Sequence, residues 1–80
     1  AQLWEKWPQV AGPTLCRFGR PVKFKKKKLY VEADGAVWMH RYAYARPALV
    51  ERINRLAGYE LVTDIHVALR PDGPPEGTQD

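Results

Sequence analysis

The sequence predicts an α+β domain: one three-stranded mixed sheet with helices packed on one face. Three observations lead there. Apolar residues recur every three to four positions up to Val10, every second position from Pro21, every three to four again after Asp34, and every second after Gly58. The first two alternating runs are close enough for a hairpin, hence antiparallel. The third is separated from them by the helical segment 35–57, a crossover that suits parallel pairing.

In LWEKWPQV, residues 3–10, Leu3, Trp7 and Val10 share one helical face. Pro8 lacks a backbone donor, so a kink or a new helical start is expected there. Gly12-Pro13 punctuates, and TLCRF allows one further turn. Val22 and Phe24 then alternate with Lys23 and Lys25, and Leu29, Val31 and Ala33 with Tyr30 and Glu32. These are two half-buried strands joined through Lys26 and Lys27. Asp34 is placed as a helix N-cap. Trp38, Tyr42, Ala45, Leu49, Ile53 and Leu56 draw one stripe through residues 35–57. Pro47 interrupts it, and the residue before a proline is pushed out of the helical region, so two helices are expected, 35–44 and 47–57. Gly58 is the stop signal. In the third strand Leu61, Thr63, Ile65, Val67 and Leu69 face one way, and Val62, Asp64, His66 and Ala68 the other. The domain spans 1–70; residues 71–80, rich in Pro and Gly, read as a disordered tail or linker.

With 45% hydrophobic and 28% charged residues, the 80-residue chain has the composition of one globular domain. No apolar run approaches the ~20 residues needed to cross a bilayer. Cys16 is the one cysteine and cannot form an internal disulfide. The expected compartment is the cytoplasm, without membrane association. His40 and His66 lack metal-ligand spacing, there is no serine, and the glycines form no phosphate loop. The expectation is therefore no enzyme, no metal and no cofactor.

The net charge of +4 is distributed unevenly. Seven basic residues and no acidic one lie between Arg17 and Lys28; the rest of the chain has six basic against nine acidic. Arg17, Arg20, Lys23, Lys25, Lys26, Lys27 and Lys28 form a strip suited to a polyanion. The plainer reading is a solvated hairpin, or an edge strand that lysine protects from aggregation. Yet a tight turn normally uses Asn, Asp or Gly, and four adjacent lysines repel one another. Tyr30, outward-facing beside the lysines, suits base stacking or cross-strand pairing equally. Asn54, polar in its helix, is expected to tie down neighbouring backbone.

The element order helix, strand, strand, helix, helix, strand resembles the type II KH fold. WPQVAGPTL (7–15), Pro21-Val22, Leu29-Tyr30-Val31, Trp38, Leu49, Asn54, Gly58 and Val62-Thr63-Asp64-Ile65 together resemble the DciA family. Those bacterial proteins assist loading of the replicative helicase and carry a KH-like domain. The similarity runs from Leu3 to Leu69. It implies binding to DNA and a DnaB-type helicase as partner, without catalysis; the basic strip is expected to hold that DNA, single-stranded or forked, by its phosphates and with low sequence specificity. KH domains grip nucleic acid through a Gly-x-x-Gly loop between two helices. Here that junction, Ala43 to Pro47, has no glycine, so the basic hairpin is the stronger candidate and Arg46 a junction contact. Two other readings remain open: an adaptor docking the helicase through its basic surface, and an RNA- or ribosome-binding KH-like module.

Overall fold

The computed structural model describes residues 2–71. The tail expected over 71–80 lies, apart from Pro71, outside them. The elements are α1 (Gln2–Glu5), α2 (Trp7–Leu15), β1 (Gly19–Lys25), β2 (Lys28–Ala33), α3 (Ala36–Ala57) and β3 (Asp64–Leu69). The sheet order is β1-β2-β3, with β1 and β2 antiparallel and β2 and β3 parallel. Helices packed against a three-stranded mixed sheet are consistent with a KH-like fold.

Lys6, outside helical geometry in ψ, separates α1 from α2, and Pro8 sits in the first turn of α2. Gly12, at φ 94 and ψ 166, bends the chain again in a conformation that a Cβ would disfavour. The core gathers Trp7, Val10, Leu29, Val31, Ala33, Tyr42, Leu49, Ile53, Val62 and Ile65. Its tightest point is Tyr42, which is fully buried. The Tyr42 Oη donates to the Leu15 carbonyl at 2.6 Å and accepts from Trp7 Nε1 at 3.2 Å. A Cβ on Gly19 would lie 2.4 Å from Cε2 of the Tyr42 ring, so the start of β1 can approach only as glycine.

Several expectations are corrected. α3 is one 22-residue helix running through Pro47, where two had been expected. Proline removes one backbone donor but has a compatible φ, and Tyr42, Leu49 and Ile53 bury one stripe on both sides of it. Packing of that stripe outweighs the lost bond. Asp34 is not the cap; Gly35 holds that position, without a side-chain hydrogen bond. The Asp34 carboxylate is instead shared by Arg70 at 3.2 Å and Arg20 at 3.5 Å. β3 begins at Asp64, so the alternation expected from Leu61 starts late and Val62 is buried in the preceding loop. Asn54 holds that loop: its Oδ1 accepts from the Leu61 and Val62 amides, and its Nδ2 donates to the Val62 carbonyl, each at 2.9 Å. Leu56 and Leu69, placed on buried faces, are exposed.

β1 departs most from simple alternation. Pro21 pairs with Val31, but the next pair is Lys23 with Tyr30, leaving Val22 as an extra residue in a bulge. The bulge inverts the facing of the residues after it, so Lys23 and Lys25 share the face of Tyr30 and Lys28, while Phe24 pairs with Leu29. Val22 is 41% and Phe24 39% exposed, although both were expected to be half-buried core positions. The reason is topological. α3 connects β2 to β3 and packs on those strands, while β1 lies beyond β2, outside its cover.

Two outcomes are expected from the Tyr42 seat. Gly19→Ala should destabilise the domain by about 1–3 kcal/mol through overpacking, read as a lower urea midpoint. Burial, the largest influence, pushes the Tyr42 phenol from 10.0 up to about 12, against a lowering by the Trp7 hydrogen bond. Between those values the unfolded chain has released the proton and the folded chain has not, so stability falls as pH rises. Below that window this contribution is intact. Subtracting the alkaline stability profile of Tyr42→Phe from that of the parent should isolate the loss.

Candidate nucleic-acid interface

The hairpin arm ends in a two-residue turn closed by the Lys25–Lys28 pair. Its central residues, Lys26 and Lys27, have φ of 53° and 65°. Positive φ at both positions is the type I′ geometry whose twist matches a hairpin, and it strongly favours Asn-Gly. A side chain in this left-handed region costs roughly 1–2 kcal/mol per residue. The turn is held from outside: the Lys27 carbonyl accepts from the Thr63 amide at 2.8 Å and from Thr63 Oγ1 at 3.3 Å. The loop before β3 thus clamps a turn that its own residues disfavour.

The face of the sheet opposite α3 carries the arm's cations in register. Lys25, Lys28 and Asp64 form one row across the three strands; Lys23, Tyr30 and His66 form the next. Arg20, Glu32 and Ala68 lie in a further row. Lys23 Nζ sits 4.8 Å from the centroid of the Tyr30 ring. Tyr30 and His66 are 5.5 Å apart between centroids, tilted by 55°. Lys23, Lys25, Lys26 and Lys27 are exposed, and Lys28 is half-buried. Among the described residues, the carboxylate ion-paired to the arm is Glu60, 3.7 Å from Lys27 on an exposed surface, where such pairs contribute little.

Lys23, Lys25, Lys26, Lys27, Lys28 and Tyr30 therefore come together. The other expected contacts lie apart. Arg17 is at the opposite end of β1, 5.7 Å from the ring of Phe18, which stacks on Trp38 at 4.0 Å. Arg20 is held by Asp34. Arg46 donates to the Ile65 carbonyl at 3.3 Å, tying α3 to β3. No loop separates two helices around it, since residues 43–47 are helical. Tyr44, within this stretch, is 91% exposed. Phe24, beside the lysines in sequence, lies on the other face with Leu29. One residue, His66, enters the site that the sequence does not mark as a contact. His66 falls on the polar-facing side of the third strand's alternation, and that was its signal; the register that sets it beside Tyr30 needed the structure.

No group of three His, Cys, Asp or Glu side chains able to hold a metal occurs among the described residues, and no described helix is long and apolar enough to cross a membrane. Cations arrayed beside an aromatic ring suit an extended polyanion. Comparison with protein families matches residues 1–67 to the family described as "Dna[CI] antecedent, DciA".

The chain belongs to the DciA family.

No curated protein matches it. The family name implies a role in loading the DnaB-type replicative helicase, and the family is known for helicase loaders or adaptors rather than enzymes.

Replacing the turn pair by Lys26→Asn with Lys27→Gly should stabilise this DciA domain by about 1–2 kcal/mol, because Asn and Gly accept positive φ more readily. Urea denaturation gives the check, and an unchanged or lower midpoint would contradict the strain assigned to the turn.

Proposed function

We propose that this domain holds DNA by its phosphates on the lysine arm, with little sequence preference, and presents it to the DnaB-type helicase in the cytoplasm. The observation that carries this reading is the lysine pair at positive φ. A hairpin needing only solubility could carry charge along its strands and keep Asn-Gly at the tip. Here the tip accepts a strained backbone and like-charge repulsion, and Thr63 secures it. Strain maintained by surrounding contacts is characteristic of functional surfaces.

Lysine ammonium groups on flexible stems act as point charges and carry no base-reading geometry. Phosphate neutralisation is therefore the main source of affinity, which makes binding salt-dependent and tolerant of sequence. Coupling to loading is a matter of proximity: DNA held on a protein docked at the ring has a raised local concentration there. Single-stranded or forked DNA would be held in the same way.

If four to six cations contact phosphate, a plot of log affinity against log salt should have a slope of roughly −3 to −5. Replacing Lys25, Lys26, Lys27 and Lys28 with Gln should weaken binding to all sequences about equally and flatten that slope. Fluorescence anisotropy at several salt concentrations measures both. DNA affinity that survives the replacement while helicase binding is lost would favour the adaptor, whose lysines meet an acidic protein surface. Tighter binding to RNA than to DNA under the same conditions would favour the ribosomal or RNA reading.

A further inference from the structure

We propose that Tyr30 and His66 form a base-stacking platform on the open face of the sheet, giving the site a preference for single-stranded over duplex DNA. This rests on the phosphate contacts proposed above and adds a ligand contact for His66.

The inference starts from the row Lys23, Tyr30, His66. Three adjacent strands place a cation on β1, one ring on the central β2 and a second ring on β3, all on the face opposite α3. Neighbouring strands are about 4.8 Å apart, so the step from cation to ring suits the phosphate and base of one nucleotide. Charge runs the same way across the sheet. Lys23 and Lys25 lie on β1, whereas β3 carries Asp64 in the neighbouring row. A phosphate is therefore drawn to the β1 side, with its base directed over β2 and β3.

Lys23 is the present neighbour of the Tyr30 ring, at 4.8 Å. Both Lys23 and His66 are exposed, and a cation–π contact at an exposed site is weak. The ammonium can turn to a phosphate and leave the ring to a base. The tilt of 55° between Tyr30 and His66 leaves them splayed rather than stacked on each other. Bases in a duplex are already stacked and paired, so their faces cannot reach such a platform; unpaired bases can. Phosphates alone would not make this distinction.

The test compares a labelled oligothymidylate with an abasic oligonucleotide of the same length, using the full chain at one low salt concentration. The parent should bind the thymidylate about tenfold more tightly, the scale of one stacked base. Tyr30→Ile should bring the ratio of thymidylate to abasic affinity down to about one, whereas Tyr30→Phe keeps the parent's ratio. His66→Ala should lose part of the preference. Equal affinity of the parent for both oligonucleotides would overturn the platform while leaving the phosphate reading standing. A Tyr30→Ile change that weakens both equally would reduce the pair to a cross-strand contact, and binding to neither oligonucleotide would overturn the phosphate reading as well.

Discussion

The Tyr42 ring lies where the side chain of any residue but glycine at position 19 would have to be. Through that seat a buried phenol on α3 is joined to the first residue of β1, and through its hydroxyl to the end of α2 and to Trp7. Three elements, α2, β1 and α3, are fixed relative to one another at one point. The direction in which β1 leaves the body is set by it. So is the position of β2, and of the arm that these two strands build together. Because the crossover helix is committed to β2 and β3, the far part of β1 projects without cover. An arm whose inner as well as outer side meets solvent is thus a consequence of topology and of this one close packing.

Electrostatics divide the basic residues by task. Asp34 gathers Arg20 and Arg70, and its amide donates to the Phe18 carbonyl at 2.9 Å, so one short carboxylate ties the start of β1 and the end of β3 to the end of β2. Arg52 donates to the Val10 carbonyl and Arg46 to Ile65, each closing a gap between α3 and a neighbour. These arginines use a planar fork for which backbone carbonyls and a carboxylate are good acceptors. The arm carries lysine alone, whose compact, strongly hydrated charge remains in water. Arginine in the body and lysine on the arm separate structural cations from those available to a partner.

Much of this was legible in the sequence, for physical reasons. Leu29, Val31 and Ala33 alternate strictly because β2 is central and one of its faces is buried. Asn54 stood out because an amide in an apolar helix face needs partners, and it found three in the loop after α3. Lys26 and Lys27 were recognisable as the turn from the runs on either side. The features that were not legible depended on competition between interactions. Pro47 signals a boundary locally, but a buried stripe on both sides keeps the helix whole. Asp34 is a good cap by composition, yet two guanidiniums attract it more strongly than backbone amides do. Phe24 looks like core in any alternating pattern; only the placement of α3 shows that nothing covers it. Tyr30 was visible as an outward ring, whereas its neighbour His66 required the parallel register.

The extra residue at Val22 has a meaning beyond a local kink. A strand has only two sides, so side-chain placement along the arm is a matter of parity, and a single inserted position changes odd to even for everything after it. With it, ammonium groups are presented outward and a phenylalanine lies toward the helices. Paired without a bulge, the same letters in the same order would turn Lys23 toward Leu29 and Phe24 to the outside. Two strands of the same length here, one bulged and one regular, would thus present opposite chemistries from the same letters.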